Sequence, residues 1–231
     1  MTIIQKNFSF SPPFFQKSGG LKKQKGGIPI LQLLYGTGNP GKLSFMRRCV
    51  SALDIEVIGL SDISIDFPQV EESGHSPLEN ARIKAHAYYK AIQMPVFSCD
   101  SGLFFENVPK ELQPGVHVRN IGGNYLSDDE MIAYYSALAK RFGGALTAQY
   151  KNGICLVMSE NEVYEYIGED INTEPFILTE KPHTKRTKGF PLDSLSMDRK
   201  TKKYYFDLTE NAQSSAIDKG FRDFFKRALF S

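Results

Sequence analysis

The segment Thr37-Gly38-Asn39-Pro40-Gly41-Lys42 sets glycines, small polar groups and a lysine where an apolar run, Leu31 to Tyr35, gives way to a helix-like stretch. Glycine frees backbone amides, the following helix offers the positive end of its dipole, and the lysine adds a full charge, so the loop suits a phosphate. Its spacing is neither the G-x-x-x-x-G-K-[ST] of a P-loop nor the G-x-G-x-x-G dinucleotide fingerprint. A plain glycine-rich turn is the alternative reading. Glu71, Glu72 and Asp100 are the carboxylates able to hold a hard cation through oxygen, and Lys42 and Lys84 are the ammonium groups suited to phosphate. The competing readings are solvated loop charges for the two glutamates, a turn former for Asp100 before Ser101-Gly102, and a surface lysine for Lys84.

Two further segments follow the first in order. Val70-Glu71-Glu72-Ser73-Gly74 leads into Pro77-Leu78-Glu79-Asn80-Ala81-Arg82-Ile83-Lys84-Ala85, and Ser98-Cys99-Asp100-Ser101-Gly102-Leu103 closes a short apolar run before Pro114-Gly115-Val116. This ordered set resembles the inosine/xanthosine triphosphate pyrophosphatase family, with its T-x-N-x-x-K, E-E-T-G, E-N-A-x-x-K-A, D-D-S-G-L and P-G segments. The resemblance implies hydrolysis of non-canonical purine nucleoside triphosphates (ITP, dITP, XTP) to the monophosphate and pyrophosphate, with Mg²⁺ as cofactor and a homodimer as the working state. It assigns Asp100 and Lys84 to catalysis, Glu72 and Asp100 to the metal, and Thr37, Gly38, Asn39, Lys42, Ser101 and Gly102 to the substrate. Attack at the α-phosphorus needs an activated water and positive charge on the oxygens, which this set of groups supplies.

The match has departures. Cys99 stands where the family has a second acid, and a neutral thiol is a poor ligand for a hard cation; Glu71 is the carboxylate available to compensate. The family's G-F-G-Y-D-P becomes Gly189-Phe190-Pro191-Leu192-Asp193-Ser194, which keeps Phe190 to stack on a base and keeps Asp193. Asp218-Lys219-Gly220 replaces S-H-R, leaving Lys219 to donate to a purine oxygen without a bidentate fork. Arg119 lies near the family's P-G-[IV]-Y-S-A-R arginine. These departures motivate a second hypothesis, a catalytically weak nucleotide-binding sensor or regulatory subunit acting through a partner protein, and a third, an enzyme for modified pyrimidines.

The elements that must position these groups follow from periodicity and punctuation. Strands are expected at Leu31 to Tyr35, Ile55 to Gly59, Val96 to Cys99, Gln149 to Ser159 and Glu162 to Gly168, with a hairpin between Ser194 and Phe206. Helices are expected from Pro40 to Leu53, from Pro77 to Gln93 behind a Ser76/Glu79 capping box, from Ser127 to Phe142 behind Ser127/Glu130, and from Ser215 to Leu229. Asn80 and Lys84 then share one helix face, and Met131, Tyr134, Leu138 and Phe142 form a stripe on the third helix. The alternation predicts an α/β fold with a long mixed sheet flanked by helices; the resemblance adds curvature and two lobes around a central cleft.

At 231 residues with 41% apolar content the chain can bury one substantial core. No 18-residue apolar run offers a transmembrane helix. Cys49, Cys99 and Cys155, odd in number and far apart, argue for a reducing, cytoplasmic setting. The four histidines lack metal-ligand spacing. Residues 1–30 hold five lysines and no acid; removing these from the 28 basic residues leaves 23 against 26 acidic, a formal net of −3, so no nucleic-acid partner is expected for residues 31–231. The first 30 residues do not read as a secretory signal. They read as a disordered extension, or as translation of a segment upstream of a TTG start codon at Leu31, Lys25-Gly26-Gly27 being encodable by a purine-rich ribosome-binding run.

Overall fold

The computed structural model describes residues 30–208 and 215–230; the expectations about the N-terminal extension fall outside them. In chain order the elements are β1 (Leu31–Tyr35), α1 (Pro40–Cys49), β2 (Ile55–Gly59), α2 (Pro77–Ile92), β3 (Val96–Phe105), β4 (Asn120–Ile121), β5 (Asn124–Tyr125), α3 (Asp128–Arg141), β6 (Ala145–Ser159), β7 (Glu162–Ile167), β8 (Phe176–Thr179), β9 (Ser196–Met197) and α4 (Ser215–Leu229). The larger sheet has seven strands in the order β2-β1-β3-β6-β8-β9, with β7 also on β6; β4 and β5 form a separate hairpin. β1 runs parallel to β2 and β3, and β6 runs antiparallel to β7 and β8, so the sheet is mixed as expected.

The chain divides into two compact units. One holds the described residues up to Asp100, Gly153–Gly168 and the chain from Asp218 onward. Its β1 is buried at Leu33, Leu34 and Tyr35, and α2 buries Ala81, Ala85 and Tyr88 beside Val96, Cys155 and Val157. α4 places Phe221, Phe224 and Phe225 in the interior. The Phe225 ring meets Phe97 edge-on at 5.1 Å, and Phe97 stacks on Tyr35 at 4.5 Å. Each such ring contributes roughly 1.5–3 kcal/mol by leaving water, so α4 is a docked helix held by aromatic burial.

The second unit holds Ser101–Asn152 and Glu169–Ile217. Its core gathers Leu103 and Phe105 of β3, Leu146 and Ala148 of β6, Phe176 and Leu178 of β8, and one face of α3. That face is Met131, Ile132, Tyr135, Leu138 and Ala139. The expected stripe of Met131, Tyr134, Leu138 and Phe142 is therefore rotated: Tyr134 and Phe142 only flank the core, since a stripe wide enough to bury takes in neighbouring positions as well.

Helix ends follow local chemistry. Ser127 and Glu130 form the full capping box of α3. At α2, Ser76 Oγ accepts the Glu79 N–H at 3.2 Å, but Glu79 Oε2 takes the His75 N–H at 2.7 Å, so the expected box closes one residue early. α1 ends at Cys49, shorter than expected, and β3 continues past Cys99 to Phe105. The longer strand has β6 as its neighbour in the sheet, and Leu103 also exchanges backbone hydrogen bonds with Gly115 at 2.8 and 3.0 Å. The expected hairpin after Ser194 is reduced to β9 and a bridge between Met197 and Tyr204.

Candidate active site

Three stretches of the first unit gather around Asp100. The loop after β1 is shaped by its own side chains: Asn39 Oδ1 accepts from Gly41 N at 2.8 Å and Lys42 N at 3.3 Å, and Thr37 Oγ1 accepts from Asn39 N at 3.2 Å. Asn39 is thus the N-cap of α1, with Pro40 opening the helix. The first-turn amides already have a partner, and Gly38 stands open to solvent, with no atom within 4 Å of the place a β-carbon would take. Lys42, one turn in, brings Nζ to 3.8 Å from Asp100 Oδ1. Ser98 Oγ donates to Gly36 O at 3.0 Å and ties this loop to β3.

α2 contributes the second stretch, and the loop before it, carrying Glu72, the third. Asn80 and Lys84, four residues apart, are both buried on the face turned toward β3. Lys84 Nζ lies 3.0 Å from Asp100 Oδ1 and 3.0 Å from Glu72 Oε1, bridging the two carboxylates. Burial alone would lower the Lys84 pKa, but the Asp100 and Glu72 charges outweigh it and hold the ammonium above the ordinary lysine range. Asn80 Nδ2 donates to Asp100 Oδ2 at 3.2 Å, and Asn80 Oδ1 accepts from Gly74 N at 2.8 Å. Arg82, on another side of α2, grips Glu165 of β7 with two nitrogens and lowers the glutamate's pKa. That fork holds the helix against the sheet.

Asp100 is therefore surrounded by two ammonium groups and an amide, its side chain only 8% exposed. Glu72 is more open, at 46%. Cys99 is buried, and that burial pushes its thiol up to about 12 despite Lys42 and Lys84 nearby, so it stays a neutral group. Among the described residues no three His, Cys, Asp or Glu side chains form a metal-holding group. Glu72 and Asp100 nevertheless fit the habit of Mg²⁺, which takes one or two carboxylates and completes its shell with water and substrate phosphates.

Ser101 and Gly102 belong to the second unit. Gly102 is packed so closely that a β-carbon would meet Phe104 at 2.8 Å and Gly115 O at 3.0 Å, so it serves the pairing of β3 with the Pro114-Gly115 segment. Phe190 and Asp193 lie at the short helical turn Pro191–Leu195. Burial raises the Asp193 pKa to about 6, partly opposed by a hydrogen bond with Thr187. Lys219 is 73% exposed and pairs with Asp223 at 3.2 Å. Its neighbour Asp218 is buried and holds Arg48 at 3.2 Å, joining α4 to α1. Arg119 is occupied with the Leu126 carbonyl and Asp128. Sequence reasoning assigns no role to Asn80 or Gly74, although the four-residue spacing of Asn80 and Lys84 places both on the same face.

The sequence pattern of the Ham1 family matches residues 33–219. A dITP/XTP pyrophosphatase of Rhodopseudomonas palustris is 30% identical over 138 residues, covering 58% of this chain and 64% of the relative, just under two thirds of its length. That of Bacillus subtilis is 32% identical over 105 residues, 46% of this chain and 52% of the relative. Among solved structures, the Staphylococcus aureus Ham1 protein superposes with a TM-score of 0.58 at 25% identity, covering 78% of this chain and 88% of that one. A HAM1 protein from Coxiella burnetii shares the fold with a TM-score of 0.60 at 23% identity, over 83% and 94%.

Proposed function

The chain belongs to the Ham1 family, and on that premise we propose that it hydrolyses non-canonical purine nucleoside triphosphates, ITP, dITP and XTP, to the monophosphate and pyrophosphate. The observation that carries this reading is Lys84 Nζ at 3.0 Å from both Glu72 and Asp100, with Lys42 approaching the same Asp100 oxygen from the loop after β1. Two cations facing two carboxylates make a neutral cluster that a triphosphate can enter by taking the lysines as its own counter-charges.

In this proposal Thr37, Gly38, Asn39 and Lys42 form the loop that receives the phosphates, and Lys84 holds an oxygen beside the reacting phosphorus. Asp100 accepts the proton of the attacking water. The water oxygen bonds to the α-phosphorus, the bond from that phosphorus to the oxygen bridging it to the β-phosphorus breaks, and pyrophosphate leaves. Glu72 and Asp100 would hold Mg²⁺, which when bound supplies positive charge against the triphosphate oxygens. Ser101 and Gly102 follow Asp100 directly and complete the phosphate segment. Phe190 stacks on the base, and Asp193 and Lys219 are the polar groups offered to its edge. The proposal extends to a cytoplasmic homodimer with no nucleic-acid partner, supported by the family resemblance and by three free, buried cysteines. No helix among the described residues is long and apolar enough to cross a membrane.

The test is pyrophosphate release with Mg²⁺ across ITP, dITP, XTP, ATP, GTP and dUTP. Turnover of ITP, dITP or XTP well above ATP is expected. Asp100→Asn should lower kcat by about 10²- to 10⁴-fold, the usual worth of a general base, with KM within a few-fold. A variant as active as the parent would remove Asp100 from the reaction.

A further inference from the structure

Asn80 is an uncharged side chain that hydrogen-bonds both Asp100 and the loop carrying Glu72. It is 1% exposed. Its orientation follows from chemistry: the Gly74 N–H can only donate, so the oxygen of the Asn80 amide faces Gly74 at 2.8 Å and the nitrogen faces Asp100 Oδ2 at 3.2 Å. With the amide locked that way round, Asp100 meets only donors. Oδ2 takes the Asn80 N–H and Oδ1 is left to Lys84 and Lys42.

The other end of the amide is as constrained. A β-carbon on Gly74 would lie 2.7 Å from Asn80 Oδ1, 2.7 Å from Glu79 Cβ and 2.9 Å from Asn80 N. Only glycine lets the loop carrying Glu72 come this close to the first turn of α2. One buried amide therefore clamps the Glu72 loop and turns the plane of the Asp100 carboxylate, and Lys84 spans the gap that it sets.

We infer that Asn80 is a positioning residue for the hydrolysis proposed above: it orients Asp100 for the water and couples that orientation to the Glu72 loop through Gly74. The role rests on the proposed reaction and has its own signature. Asn80→Asp keeps an acceptor for the Gly74 N–H but turns an acceptor, in place of a donor, toward Asp100. Asn80→Ala removes both contacts.

The experiment is steady-state pyrophosphate release from ITP with Mg²⁺, beside thermal unfolding, for the parent, Asn80→Asp, Asn80→Ala, Gly74→Ala and Asp100→Asn. Supporting groups that orient a reactive residue are worth about 10- to 100-fold in activity. A loss of that size in kcat is expected for Asn80→Asp, with KM within about threefold because the loop after β1 is untouched. Asn80→Ala should lose kcat similarly and also melt lower than Asn80→Asp. If Asn80 only tethers the loop, Asn80→Asp would keep the parental kcat, and that result overturns the inference. Should the Asn80 variants fail to fold, Gly74→Ala, which displaces the amide without altering it, carries the test: unchanged kcat there overturns the role, and a fall in kcat at steady KM supports it. A parent chain with no turnover overturns the proposed reaction itself. Full activity in Asn80→Asp beside an inactive Asp100→Asn overturns only the positioning role.

Discussion

The chemistry of single residues here is decided by who their neighbours are. Lys84 and Lys219 are both helical lysines in motif positions, yet one is buried between two carboxylates and the other sits in solvent beside Asp223. Cys99 and Asp100 are adjacent in β3, but burial leaves the thiol neutral while Asp100 keeps two hydrogen-bond donors, Asn80 and Lys84, with the Lys42 ammonium 3.8 Å away. Asp193 has a different setting, buried with the Thr187 hydrogen bond only partly offsetting the cost of its charge. Its pKa is about 6 in the folded chain, against about 3.9 for an unperturbed aspartate. The folded state therefore binds this proton more tightly than the unfolded state. The stability it contributes is complete below about pH 4 and is lost as pH rises through about 6. Urea unfolding at pH 4.5 and pH 7, compared between the parent and Asp193→Asn, should show a pH-dependent loss in the parent that the variant lacks. The same slope in both would place the titration elsewhere.

At the scale of elements, α2 is the part that brings charges together. Ser76 caps it, Arg82 fixes it to β7, and the backbone of β6 presses against its first turn. The last contact is unusually close: a β-carbon at Gly153 would lie 2.4 Å from Leu78 N and 2.6 Å from Leu78 Cα. Both atoms belong to the backbone, so a methyl there cannot be accommodated by a side-chain rotation. Gly153→Ala should push the start of α2 away from the sheet and carry Asn80 and Lys84 with it. A melting temperature lower by several degrees, consistent with about 1–3 kcal/mol of overpacking, is expected together with reduced kcat. An alanine variant with parental melting and turnover would mean that this approach is not needed. α1 works differently, since its first-turn amides are already satisfied by Asn39 and its lysine, rather than its dipole, is what faces Asp100.

Over the whole molecule, charge is unevenly spread. Residues 181–203 contain eight lysines and arginines, all exposed, and among the described residues only Arg199 has a carboxylate within 4 Å, Glu106 at 3.8 Å. A field of that sign attracts a polyanionic substrate and is screened over about 10 Å at 0.1 M salt. Raising ionic strength should lower kcat/KM more than kcat, and Lys185→Glu combined with Lys188→Glu should flatten that dependence while leaving kcat within about twofold. Identical salt curves in parent and variant would rule these residues out of substrate capture. What the amino-acid sequence determined by itself is what acts over a few residues. The capping box of α3, the bounds of α4, the capped start of α2 and the shared face of Asn80 and Lys84 all follow from side-chain oxygens near backbone amides and from a 3.6-residue period. The tertiary structure decided what depends on distant partners. β8, only four residues long, is held as a strand between β6 and β9, and β3 runs on through Asp100 because β6 pairs alongside it. The same holds for the amide that joins Gly74 to Asp100 and for the aspartate that occupies Lys219. Hydrogen bonds and ion pairs formed across a packed core are set by where the chain returns, and no local spacing encodes that return.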